Sequence, residues 1–239
     1  MLGFASADLV RWSPEQVSGR RTATAALGAA AVTLVPACLS GLPVLDVALL
    51  ETGALLVVLV WLLFDQHALH RVKPGYQLAW IATALLVAFA TSGVTRSVSG
   101  PLRQWYSNLP FGFVRTIGID QFLLGLSAAL FVLATANRIV RLVLQAAGTP
   151  ARAGETTLSG GRILGPMERL FVAAMVVSGN LAAAAALIAA KGFLRLPEIR
   201  SNTEQHGGAD DHVTEYFLIG TFCSLLIASA LGTLVSGSG

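Results

Sequence analysis

Two sets of residues in this chain carry types that could do chemistry. The first is Glu51, Asp120, Lys191, Arg195, Glu215 and Tyr216. Each stands in or beside a strongly apolar stretch, where an ionisable side chain is costly and turns inward to a partner. Glu51 has apolar residues on both sides, in "VLDVALLETGALLVV" from Val44 to Val58. A carboxyl group so placed can take up a proton or a cation, or it can pair with a cation and fix helix packing. Lys191 closes an alanine-rich run and is followed at short spacing by Arg195, Glu198 and Arg200. It can bind an anionic headgroup or solute, or it can simply extend to the membrane interface. The second set is Arg138, Arg141, Arg162, Glu168 and Arg169, with Asn137 beside it. Guanidinium groups bind phosphate oxygens in pairs of hydrogen bonds, so this set suits a phosphate or an anionic lipid. The plain alternative is cationic anchoring at the cytoplasmic interface, with Glu168 stabilised at a helix N-terminus.

Other chemistries lack their spacings. His67 and His70 lie one helical turn apart after Asp65, and His206, Asp210, Asp211 and His212 cluster in a polar loop. Neither has a zinc-site pattern. Gly160-Gly161-Arg162 and Gly165-Pro166 precede a helix but lack the Lys-Ser/Thr ending of a phosphate loop. No Ser-His-Asp or Cys-His set is legible. Cys38 and Cys223 fall inside apolar segments, which argues for buried, unreactive thiols. No catalytic residue, metal or cofactor is expected.

The elements that position these residues are membrane helices. Of 239 residues, 54% are hydrophobic and 12% charged, against about 25% charged in a soluble domain. The net charge of +3 is scattered over segment ends, with no basic stripe, so nucleic acid is not an expected partner. At about 20 residues per span the chain fits an all-α polytopic bundle of about six transmembrane helices. They are expected near Thr22–Leu39, Val44–Phe64, Tyr76–Val94, Ile117–Ile139, Met167–Ala190 and Glu215–Val235. Pro36 weakens or kinks the first. Trp80 suits an interface belt, and residues 97–116, with Trp105, Tyr106 and Phe111, suit an amphipathic segment on the membrane surface. Residues 141–166 and 192–214 read as connectors, and the terminal "SGSG" as flexible tail. Residues 1–21 hold Arg11, Arg20 and Arg21, but no clear cleavage site follows, so the first span is expected to stay in the mature protein. With six spans, ten of the 16 Lys and Arg residues fall on the side of the termini. That places both termini in the cytoplasm.

In the fifth span, Ala174, Ser178, Ala182, Ala186 and Ala190 repeat every four residues, a small-residue face for close helix packing. Asn180 is expected to hydrogen-bond across to Thr221 or Ser224. Glu168 and Lys191 bracket the same span, roughly 35 Å apart if the helix is continuous.

From Ile117 onward five short motifs occur in order: "GIDQFLL" (118–124), "NRIVRLVL" (137–144), "GGRILGPMERL" (160–170), "IAAKGFLRLPEI" (188–199) and "TEYFLIGTFCS" (214–224). In these the chain resembles an uncharacterised family of bacterial integral membrane proteins, a domain of unknown function. The family pattern often has a histidine where this chain has Leu124, and a serine where it has Gly192. The resemblance covers residues 117–235 and leaves 1–116 as a separate N-terminal membrane segment and 236–239 as the tail. It implies a bacterial inner membrane protein and no reaction.

Three functions follow as expectations. One is a non-enzymatic protein that binds or carries a small ion, lipid or polar solute through the Glu51, Lys191 and Glu215 group. Another is a scaffold that assembles with its own copies or other membrane proteins through its alanine faces. The last is a membrane enzyme acting on a phosphorylated lipid at the arginines, with Glu168 as the one candidate base.

Overall fold

Glycine, proline and asparagine punctuate the chain, and the apolar runs between them are helical. The structure, a computed structural model, describes residues 1–10, 19–63, 73–91, 98–112, 116–148, 161–190, 192–193 and 211–238. Within its helices the side chains of 10, 19–22, 89–91, 161–163 and 211–217 are outside the description. The helices are α1 (Leu2–Val10), α2 (Gly19–Leu39), α3 (Val44–Leu63), α4 (Pro74–Thr91), α5 (Gly100–Ser107), α6 (Ile119–Leu133), α7 (Thr135–Ala146), α8 (Gly161–Val177), α9 (Leu181–Ala190) and α10 (Asp211–Ser236). No strand occurs among the described residues.

They form two compact units, Met1–Thr135 with Ser238–Gly239, and Ala136–Gly237. The resemblance divides the chain at 116/117 instead. The first unit includes α6 because Phe131 of α6 and Trp61 of α3 both meet the Phe4 ring edge-on, with centroids 6.4 and 5.9 Å away. Edge-to-face contacts at such distances are favourable beyond the area they bury. Phe4, Ala5 and Ala7 of α1 are all buried, and Trp61 Nε1 donates to Asp8 Oδ1 at 3.2 Å. The N-terminal residues expected to lie ahead of the first span are thus part of this unit's core. Trp80, expected at an interface belt, donates from Nε1 to the Val57 carbonyl at 3.3 Å.

α2 runs through Pro36 to Leu39, so the lost proline N–H does not end it. α5 has Pro101 at its start, where a missing N–H costs nothing. One side buries Tyr106, whose hydroxyl donates to the Ile117 carbonyl at 2.8 Å and whose ring lies 5.2 Å from that of Phe122. The other side exposes Arg103, Gln104, Trp105 and Ser107. The amphipathic segment anticipated there is this helix.

In the second unit, α10 packs along α8. A methyl group added at Gly232 would lie 2.8 Å from Val176 Cβ and 3.0 Å from the Ala173 carbonyl oxygen, so only glycine allows the approach. Gly220, Ser224, Ala228 and Gly232 recur every four residues, and Ala228 and Gly232 are buried. This is the small-residue packing face of the unit. The stripe expected to play that part, Ala174, Ser178, Ala182, Ala186 and Ala190, is exposed at every position.

The expected fifth span is not one helix. After Val177 the backbone enters a left-handed turn at Gly179 (φ 73°). Gly179 N–H bonds to the Val176 carbonyl and Asn180 N–H to the Met175 carbonyl, the pairing that closes a helix through a left-handed glycine. Asn180 Oδ1 then accepts the Ala183 N–H at 3.1 Å and caps α9. The 35 Å separation of Glu168 and Lys191, which assumed a continuous helix, therefore lapses.

Val44–Leu63 and Leu218–Ser236 are long and apolar enough to cross a membrane, and α6 with α7 would supply a third if the pair is one span broken at Ala134. Shorter apolar helices lie at Ala23–Leu39, Pro74–Ala88 and Leu181–Ala190. Large apolar side chains stand outward, among them Leu27, Val44, Leu45, Leu86, Leu181 and Phe222. An outward apolar surface over helices of this length is compatible with a membrane setting.

Candidate functional site

Among the described residues, each unit buries an ionisable side chain against a hydroxyl from a neighbouring helix. In the first, α2 turns Ala25 and Ala29 fully inward at a four-residue spacing, and Thr33 continues the line. These small residues let α3 come close. The inner face of α3 is Val47, Glu51, Val58, Trp61 and Leu62. Glu51 is 9% exposed, and its Oε1 accepts a hydrogen bond from Thr33 Oγ1 at 2.6 Å. The same hydroxyl lies 3.0 Å from the Ala29 carbonyl oxygen and 3.2 Å from that of Ala30. One proton thus has three acceptors in reach.

Asp120 has a different role. It lies exposed in the first turn of α6, and its Oδ1 accepts the Val98 N–H at 3.1 Å. That bond ties the approach to α5 onto α6. Lys191 and Arg195 lie outside the described residues, and Glu215 and Tyr216 are described only as backbone in α10. Asp65, His67, His70, His206 and Asp210 also lie outside the described residues, while Asp211 and His212 are described as α10 backbone alone.

In the second unit the buried group is Arg169, 6% exposed on the inner face of α8 with Pro166, Val172 and Val176. Its Nη1 donates to Asn137 Oδ1 of α7 at 2.7 Å, and its Nε donates to Ser224 Oγ of α10. One guanidinium therefore ties three helices together. Both acceptors are neutral, and the acid that acts on Arg169 through space is its chain neighbour Glu168. Moving a cation from water to such a place is expensive unless it is hydrogen-bonded and balanced by charge. Arg138 and Glu168 are half-buried, Arg141 is exposed one turn along α7 from Asn137, and the Arg162 side chain is outside the description.

Of the arginine set, then, Arg169 is seen at the centre of a polar contact, with Asn137. Ser224 completes it. The sequence pairs Asn180 with Thr221 or Ser224, but Asn180 is exposed and spent on capping α9. Thr33 was missed altogether. The signal that finds both hydroxyls is their place on a four-residue stripe of small residues, where a side chain that looks like a mere spacer faces the neighbouring helix. Cys38 is exposed and Cys223 half-buried, so the thiols are less enclosed than their apolar flanks implied.

Comparison with protein-family models, with curated proteins and with solved structures returns no match for the chain.

Proposed function

We propose that this chain is a polytopic bacterial inner membrane protein that binds a small ion, lipid or polar solute through a polar group buried among its helices. In this reading the apolar helices cross or enter the bilayer, both termini are cytoplasmic, and residues 117–235 belong to the uncharacterised family they resemble. The observation that carries the reading is Arg169, a permanently charged side chain held inside the second unit by two neutral acceptors. An ionisable group kept inside a membrane bundle is a functional-site hypothesis by default. A structural tie alone would be served as well by a neutral donor, which avoids the desolvation cost. Weight thus moves from the Glu51, Lys191 and Glu215 group to Arg169. Glu51 remains as a second buried group whose partner is already in place.

The test is native mass spectrometry of protein released from mild detergent, beside an Arg169→Met variant of equal fold by circular dichroism. Binding predicts a discrete added mass in the parent protein that the variant loses. A bare mass in both would sink the reading.

A second reading, assembly with copies of itself or with another membrane protein, draws on the outward Ala182, Ala186 and Ala190 of α9. There Ala182→Leu is expected to lower the oligomer mass in the same spectra while leaving any bound ligand in place.

A further inference from the structure

Arg169 has directional capacity left over. A guanidinium carries five N–H donors. Two are engaged, one from Nε to Ser224 and one from Nη1 to Asn137. Among the described residues, both N–H groups of Nη2 and the second of Nη1 have no acceptor. Arg169 is 6% exposed rather than sealed, and Nη2 is the unengaged end of its fork. What lies beside it is Gly165, one turn earlier on α8. A methyl group built there would sit 3.7 Å from Nη2. Any larger side chain at that position would cover the open edge, and Gly165 is itself only half-buried. The local charge balance is one-sided. Arg138, Arg141, Arg162 and Arg169 lie on these two helices, with Glu168 as the one acid within the same α7 and α8 segments.

Arginine does not shed its proton in proteins. Desolvation therefore cannot be relieved by neutralising the side chain and is relieved by an incoming negative charge instead. A planar fork with adjacent N–H groups matches the oxygens of phosphate better than a point cation does. Resting on the binding reading above, we infer that the open Nη2 edge of Arg169, beside Gly165, binds a phosphate-type oxyanion. Asn137 and Ser224 are positioning residues that aim the fork. The oxyanion can belong to an anionic phospholipid headgroup or to a free phosphate-bearing solute. The chemistry at Arg169 is shared, and the source is decided by experiment.

The full-length protein is stripped of lipid and unfolded by heat in a neutral detergent. Unfolding is followed by a thiol-reactive dye at Cys223, in a Cys38→Ser background so that the second unit alone reports. One arm adds inorganic phosphate, one adds phosphatidylglycerol, and a control arm adds phosphatidylcholine. The expected result is a saturable rise in the midpoint with phosphate, with phosphatidylglycerol or with both, and none with phosphatidylcholine. Stabilisation by phosphatidylglycerol alone assigns the headgroup, and by inorganic phosphate the free solute. Arg169→Met is expected to weaken the response about tenfold or more, as loss of a charge-assisted bond does. Because that variant also loses its ties to α7 and α10, Gly165→Leu provides the decisive companion. It keeps the cation and both acceptors but covers the Nη2 edge, and it is expected to abolish the response while the protein still folds. Arg169→Lys keeps charge without the fork and is expected to fall between. Equal stabilisation by phosphatidylcholine, or an undiminished response in Gly165→Leu, overturns the oxyanion assignment. If a bound mass still appears in the native spectra, the binding reading survives that outcome with a neutral ligand. If no mass appears, both fall.

Discussion

The two units solve one packing problem in the same way and reach opposite electrostatic ends. In each, a helix carries small residues every four positions, and a hydroxyl on that stripe meets an ionisable group on the neighbouring helix. Ala25, Ala29 and Thr33 bring α2 against Glu51, while Gly220, Ser224, Ala228 and Gly232 bring α10 against Arg169. Thr33 donates its proton to an acid, and Ser224 accepts one from a base. A carboxyl group has a neutral form available to it in an apolar interior; a guanidinium has none. The first pair can therefore be complete as it stands. The second carries a fixed positive charge that two neutral acceptors do not balance, and so the second unit is where a ligand is proposed.

That contrast can be broken by substitution, and the chain supplies a reporter for each half. All four tryptophans, Trp12, Trp61, Trp80 and Trp105, fall in the first unit. Cys223 falls in the second. The largest effect is expected from Asn137→Leu, which takes an acceptor from a buried cation. A hydrogen bond to a charged group is worth about 1.5–3 kcal/mol, and the loss should appear in the Cys223 melt with the tryptophan signal unchanged. A comparable loss in the tryptophan melt would show that the units do not unfold separately. Next is Gly232→Ala, expected to cost about 1–3 kcal/mol through overpacking against Val176. Its control is Gly220→Ala, where the nearest atom to the added methyl is 3.7 Å away. That change should be neutral or stabilising by about 0.5–1 kcal/mol from helix propensity. Equal losses at the two positions would remove the case for a close approach specific to Gly232.

Thr33→Val should be milder, about 1–2 kcal/mol in the tryptophan melt, because the acid loses one neutral donor. Glu51→Gln should cost less still, since the amide oxygen accepts the same bond. If Glu51→Gln proves the more damaging, Glu51 has a role as an acid that Thr33 does not explain. The smallest effect is expected at Tyr106→Phe, about 1 kcal/mol for the bond to Ile117. Burial holds the Tyr106 phenol above its ordinary value, so the folded chain keeps that proton more tightly than the unfolded one. The stability linked to it is intact below pH about 10 and declines as pH rises through the raised value. The phenylalanine variant should lack that alkaline decline.

How far each feature could be read depended on how local its cause was. The apolar helical segments, the amphipathic α5 and the burial of Glu51 were legible, because composition and flanking residues express them directly; the burial of Arg169, expected with the other arginines at the cytoplasmic interface, was not. The break at Ser178-Gly179-Asn180 was also written in the chain, as a left-handed glycine followed by a capping asparagine. It was overlooked because alanine periodicity on either side suggested one continuous face. α1 was misread for a related reason. Its short run, Phe4-Ala5-Ser6-Ala7, gains meaning only when Trp61 and Phe131 are present to receive it.

Composition and short-range pattern by themselves determined that this chain is helical, that its helices suit a lipid setting, and that a few charged residues would be forced inward. Those outcomes follow from backbone hydrogen bonding and from the cost of apolar surface in water, both of which act residue by residue. Tertiary structure alone decided which small-residue stripe faces inward, which hydroxyl meets which charge, and that Ser224 holds Arg169. Two stripes with the same four-residue period are equivalent along one chain. They differ only when a second helix comes close enough to bury one and leave the other outside.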